Sequence, residues 1–200
     1  MKRNLLALIL CLAPLICAAQ EQDAEKYIAE GAVMLFGAGC IKYYPDAKAF
    51  ETWIKQNTFD TLSEPDAKGL LMEPGGVAYS VNNNGVRYLL VAQATNLCTV
   101  YVKEANLTYT REAISRIREK LRSKGWIEKA TSNDKALEKG LVVTTAYDYY
   151  LDGQREMTVV VTESESKLGF FQLAMSAASL QRANHALKGD LGDAARPSAP

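Results

Sequence analysis

The sequence predicts an α+β domain in which N-terminal helices precede an antiparallel sheet of five to six strands. The expected order is βββ-α-βββ, with one central helix packed on the sheet. Three observations carry this reading. Asn84-Gly85 and Asp152-Gly153 each sit between runs of alternating apolar residues, the local signature of a tight hairpin. Residues 110–124 carry Ile114, Ile117 and Leu121 at helical spacing and end at Gly125. Apolar residues before Cys40 also recur at helical rather than strand period.

Before the domain comes a segment of a different kind. Residues 1–19 open with Lys2 and Arg3, continue through the apolar run 5–12, and end on Cys17-Ala18-Ala19. That is the pattern of a cleaved secretory signal peptide. The uncharged stretch 4–19 is short for a membrane span and contains Pro14. A lipid-anchored alternative is disfavoured because neither Cys11 nor Cys17 follows a small residue. The domain is therefore expected over 20–183, with a flexible tail over 184–200 and no transmembrane segment once the signal is removed. The expected location is the periplasm.

Signal cleavage changes the chemistry of the remainder. It removes two of the 23 basic side chains, leaving 21 against 23 acidic ones and a net charge of −2. That balance argues against a nucleic-acid partner. It also removes two of the four cysteines. Cys40 and Cys98 then enter an oxidising compartment as an even pair, for which a disulfide is expected. The loop it closes, 59 residues long, corresponds to roughly 4 kcal/mol on a chain-entropy argument.

The elements follow in order. Residues 23–36 read as a helix stopped by Gly37 and Gly39, and a second helix starts at Asp46 behind Pro45. Residues 57–76, rich in proline and glycine, read as loop with one helical turn near 67–72. Strands are expected at 77–81, 86–94 and 97–102, the last starting near Cys98. The central helix follows, with Thr110 as its N-cap. Residues 129–140 read as a polar linker, and 141–151 with 155–162 as the second hairpin. Residues 168–180 fit either a helix, by composition, or a strand, by the alternation of Phe171, Leu173, Met175 and Ala177; the alternation is preferred.

The chemistry-bearing residues exclude more than they assign. The chain has one histidine, His185, in the expected tail. Nucleophilic centres of the Ser-His-Asp or Cys-His kind need an ordered imidazole. Gly37-Ala38-Gly39-Cys40 follows a helix rather than a strand, so it is not a phosphate-binding loop. The carboxylates Asp148, Asp152, Glu156, Glu163 and Glu165 read as charges on the solvated side and turns of a hairpin. No cofactor or metal is expected, and no catalytic residue is assigned.

The surface that draws attention is basic. Between Arg111 and Lys129 lie seven basic and three acidic residues. Arg111, Arg118 and Arg122 fall on one arc of the central helix and form the candidate partner-binding residues, suited to another envelope protein or an anionic surface. Tyrosines cluster at Tyr43-Tyr44 and at Tyr147, Tyr149 and Tyr150. Tyr147 and Tyr149 share one face of a strand, and Tyr150 takes the other.

Four segments carry a resemblance: Phe36-Gly37-Ala38-Gly39-Cys40, Pro74 to Tyr79, Asn96 to Val100, and Phe171 to Ser176. Over about 26–180 the chain resembles an uncharacterised family of small bacterial envelope proteins, periplasmic or lipid-anchored, with a paired-cysteine α+β domain. The resemblance implies the paired cysteines and a C-terminal strand, and it implies no activity. The functional expectation is a non-catalytic binding or adaptor module, inhibitor- or immunity-like. The alternative is a hydrolase-type enzyme with a carboxylate and tyrosine site assembled only in three dimensions.

Overall fold

The computed structural model describes residues 22–72, 74–137, 141–166 and 170–179, without the side chains of 132–137 and 141. Helix α1 (22–35) runs without interruption into a π-helical segment, Phe36–Tyr43, and α2 (Ala47–Gln56) follows. The Asp46 carboxylate caps α2, accepting from the Ala49 amide at 3.0 Å. Strand β1 (Asp60–Thr61) and the single turn α3 (Glu64–Ala67) lead to β2 (Val77–Asn83), β3 (Val86–Ala92) and β4 (Leu97–Val102). Helix α4 (Leu107–Ser123) crosses to β5 (Ile127–Leu137), β6 (Leu141–Leu151), β7 (Gln154–Ser164) and β8 (Leu173–Ser179).

Among the described residues, eight strands join one antiparallel sheet in the order β1-β2-β3-β4-β8-β7-β6-β5. The α+β class stands, but the count of five to six strands and the βββ-α-βββ order do not. Four strands flank the central helix on each side. The extra ones are β1, two residues inside the expected loop, and β5, which occupies the expected polar linker. β5 is an edge strand, and edge strands carry polar residues that a pattern search takes for loop.

Both hairpin turns are as expected: Asn84 and Gly85 have φ of 51° and 81°, and Asp152 and Gly153 have 51° and 80°. Two successive positive φ values make type I′ turns, which match the twist of the flanking strands. The ambiguous C-terminal segment is strand β8, paired between β4 and β7. The tail 184–200 and His185 lie outside the described residues, as does the segment 1–19.

Two expected boundaries are corrected. Gly37 and Gly39 do not stop the first helix; it continues past both to Tyr43. A Cβ on Gly37 would stand 2.9 Å from Ile117 Cδ1, and one on Gly39 would stand 3.0 Å from the Trp53 ring. These glycines let neighbouring side chains approach the helix closely. The cap of α4 is Asn106, four residues before Thr110; its Oδ1 accepts from the amides of Thr108 and Tyr109 at 3.1 and 3.2 Å. Thr110 lies inside the helix, fully buried, with its hydroxyl donating to the Asn106 carbonyl.

The main core lies between one face of the sheet and the layer formed by α1, the π-helical segment, α2 and α4. Leu90, Val100, Leu121, Leu173 and Met175 are completely buried there. The Cys40–Cys98 disulfide joins the π-helical segment to β4 across this layer, with Cα atoms 5.2 Å apart and both residues buried. A smaller cluster on the opposite face packs Ala67 and Leu70 against Ala78 and Val91.

Candidate functional site

The expected partner surface on α4 is largely committed to the protein's own carboxylates. The apolar side of α4 faces the core through Ala113, Ile114, Ile117 and Leu121, which places the basic side chains along its flanks. Arg111 reaches Glu163 on β7, its Nε and Nη2 donating to the carboxylate at 2.6–3.1 Å. Arg116 pairs with Glu30 on α1 at 2.9 Å. Arg118 holds Glu128 on β5 bidentately, Nε to Oε2 at 2.8 Å and Nη2 to Oε1 at 2.5 Å. Its guanidinium also lies over the Tyr147 ring, 4.3 Å from the centroid. Arg122 is exposed, with Nε 3.5 Å from the Arg118 carbonyl. Of the three candidate residues, two are struts between helix and sheet.

The hairpin carboxylates correct the sequence reading in the same way. Asp148, Glu156 and Glu163 are buried rather than solvated, whereas Asp152 and Glu165 are exposed as expected. Asp148 accepts from Thr158 at 2.5 Å and pairs with Arg155 at 3.4 Å. A pattern of acidic residues on a hairpin does not reveal which face a distant arginine will cover.

One cluster has the composition of a carboxylate and tyrosine site. Tyr149, almost completely buried, donates its hydroxyl to Glu128 Oε2 at 2.7 Å, beside Arg118 and Trp126. The Arg118 bonds, aided by Tyr149 and opposed by burial, hold the Glu128 carboxyl below the usual carboxylate range. Burial and the adjacent carboxylate push the Tyr149 phenol well above the usual tyrosine range. The resting state is therefore an ion pair with a protonated phenol. The neighbouring void, lined by Phe36, Ile114, Ile117 and Val159 among others, has a volume of about 10 Å³. That is room for about one water at most.

The space a ligand can enter lies elsewhere. Between α1, the end of α2 and the β2–β3 hairpin is a partly open cavity of about 340 Å³. Gly31, Met34, Leu35 and Ala38 form one wall, and Trp53 and Phe59 another. The buried Val81 and Tyr88 line it from the hairpin, with Asn57, Asn82 and Asn83 among the lining residues. Every lining residue belongs to the part of the chain before β4.

The aromatic walls are held in place. Tyr43 stacks on Trp53 at 5.4 Å with an interplanar angle of 20°, and Phe59 meets Trp53 edge-on at 5.1 Å. The Tyr88 hydroxyl donates to the Ile28 carbonyl at 3.2 Å and lies 2.5 Å from where a Gly31 Cβ would stand. Burial pushes the Tyr88 phenol up to about 12, with nearby Tyr27 adding to it. Asn57 donates to the Trp53 carbonyl at 2.8 Å and Asn82 accepts from the Gly85 amide at 3.2 Å.

Sequence reading missed this cavity. The available signal was Gly31 and Gly39 on the first helix, residues whose lack of a Cβ lets Tyr88 and Trp53 come close. Among the described residues, no group of three or more His, Cys, Asp or Glu is placed to hold a metal ion, and no helix is long and apolar enough to cross a membrane. No protein-family model matches the chain, nor does any curated protein or solved structure.

Proposed function

We propose that this chain is an exported, non-catalytic binding domain of a bacterial periplasm. The observation that carries the reading is the cavity between α1, α2 and the β2–β3 hairpin. Its volume, about 340 Å³, falls at the low end of small-molecule sites, which span roughly 300–1,000 Å³. Its lining contains no carboxylate, amine, imidazole or thiol, and its one phenol titrates far above neutral pH. Such a lining suits retention of a ligand rather than acid–base or nucleophilic chemistry. The buried disulfide and the signal-like residues 1–19 support export into an oxidising compartment. An inhibitor- or immunity-like role acting on an envelope protein is compatible with the same surface.

The enzyme alternative would draw on Tyr149 and Glu128, and the geometry disfavours it. That pair is enclosed, and the adjoining void has no room for a substrate. An anionic partner on the α4 face would have to displace Glu163 and Glu128 from Arg111 and Arg118. Arg122 is the guanidinium there with the least internal engagement, which favours the cavity over the helix as the place to test. Export is tested by expressing the full chain in a Gram-negative host and fractionating by osmotic shock. A mature chain beginning at Gln20 in the periplasmic fraction supports the proposal, and an uncleaved cytoplasmic chain refutes it.

A further inference from the structure

We infer that the cavity takes an uncharged, polyhydroxylated ligand, a neutral saccharide of one or two rings; this rests on the binding reading above and names its ligand. The argument starts from what the lining penalises. A charged ligand would leave water for a site without a single ionised side chain to pair with it, which penalises its transfer. A purely hydrocarbon ligand would leave the polar lining residues Asn57, Asn82 and Asn83 without a partner for any hydrogen-bonding group it covers. The ligand that avoids both penalties is neutral, carries hydrogen-bonding groups on its rim and presents apolar faces to the walls.

A pyranose has that distribution. Each hydroxyl both donates and accepts, as does a carboxamide, so neighbouring hydroxyls match the paired donor and acceptor of an asparagine. The axial C–H bonds of the ring present weakly positive hydrogens, which suit contact with the half-buried aromatic lining residues Trp53 and Phe59. Asn83 is suited to this exchange because it lines the cavity on the same face of β2 as Val81, and its side chain makes no hydrogen bond among the described residues. Met34, Leu35 and Val81 close the apolar end.

The site is also built before any ligand arrives. Trp53 is fixed by Tyr43, by Phe59 and by the missing Cβ of Gly39, whose virtual position lies 3.0 Å from the indole. Tyr88 is fixed by its bond to the Ile28 carbonyl and by the missing Cβ of Gly31. Walls that need no ordering on binding retain more of the contact energy as affinity.

The test is isothermal titration of the oxidised mature chain with maltose, cellobiose and N,N′-diacetylchitobiose, alongside glucuronate and dodecanol. At least one neutral saccharide is expected to bind saturably, with glucuronate at least tenfold weaker. Asn83→Ala is expected to weaken that saccharide about tenfold. Ala38→Phe, which fills the cavity from the π-helical segment, is expected to abolish binding; circular dichroism and the unfolding midpoint establish that each variant folds. Equal affinity for glucuronate, or saccharide binding unmoved by both variants, overturns the inference. Saturable binding of dodecanol with none of the saccharides overturns the ligand class and leaves a binding domain. Silence of all five probes overturns both.

Discussion

Replacing Glu128 by Gln separates the structural role of the Arg118–Glu128–Tyr149 cluster from any chemical one. The substitution keeps the shape of the side chain and removes its charge. Arg118 then faces a neutral group across bonds that measure 2.5 and 2.8 Å, and Tyr149 donates to an amide oxygen at best. The Glu128 side chain is only 11% exposed and Arg118 only 29%, so solvent recovers little of the loss. Charge-assisted bonds contribute about 1.5–3 kcal/mol each, and unpairing a buried ion pair costs about 3–5 kcal/mol. For this partly exposed pair the expected loss is about 3 kcal/mol near neutral pH. Urea unfolding measures it as a fall in midpoint of about 1–2 M with an unchanged slope. The pH dependence follows from the lowered acidity of Glu128. Stability from a depressed carboxyl is fully present above its unfolded value, near 4.5, and is lost as pH falls through the still lower folded value. Wild type therefore loses its advantage over Glu128→Gln on acidification, and the two converge once pH has fallen below the lowered folded value. A difference below about 0.5 kcal/mol at neutral pH, the level of an exposed pair, would refute the account. So would a full difference that persists in acid.

Two further predictions concern how the helical layer is held on the sheet. Cys98→Ser is expected to cost about 2–5 kcal/mol and to lower hydrogen-exchange protection first in α1, the π-helical segment and α2, while β5–β7 stay protected. Non-reducing intact mass checks the premise, since the bonded form is lighter by two hydrogens. Gly31→Ala places a Cβ 2.5 Å from the Tyr88 hydroxyl. It should destabilise by about 1–3 kcal/mol despite the better helix propensity of alanine. Adding Tyr88→Phe removes the clashing oxygen, so the double variant is expected to recover part of the loss in thermal unfolding.

What was legible in the sequence was what short stretches decide. Asn84-Gly85 and Asp152-Gly153 fix their hairpins because positive φ is a property of two residues and needs no partner. The apolar stripe of α4 and the Asp46 cap are local for the same reason. The strand β8 was readable from alternation, because residues facing the helices are apolar whatever the helices are. Where tertiary contact decides, the local signal misleads. Gly37 and Gly39 look like a helix stop by propensity, yet the positions are glycine because Ile117 and Trp53 approach within 3.0 Å of where a side chain would begin. Strand β5 reads as linker because its strand character depends on pairing with β6, and its sequence mixes charges and hydroxyls. The cavity is the extreme case: its walls come from three segments between Gly31 and Tyr88, and no motif joins them.

The basic stretch on α4 shows why a charge run in a sequence is a poor guide to a surface. Its net of +4 between Arg111 and Lys129 counts only residues adjacent in the chain. In the fold, α4 is the one chain connection between the two four-stranded halves, and its arginines reach Glu30 in the first half and Glu128 and Glu163 in the second. Each pair spans two elements that pack through apolar contacts at α4. The charges therefore tie α4 to three neighbouring elements, α1, β5 and β7, rather than standing free as one cluster. The same geometry explains the separation of roles in the molecule. The half containing β5–β8 is strapped to α4 by carboxylates, whereas the first half is bolted by Cys40–Cys98 and leaves its uncharged walls around a cavity. On the proposed binding reading that division favours a neutral ligand, since a charge near the cavity would hold water there in its place.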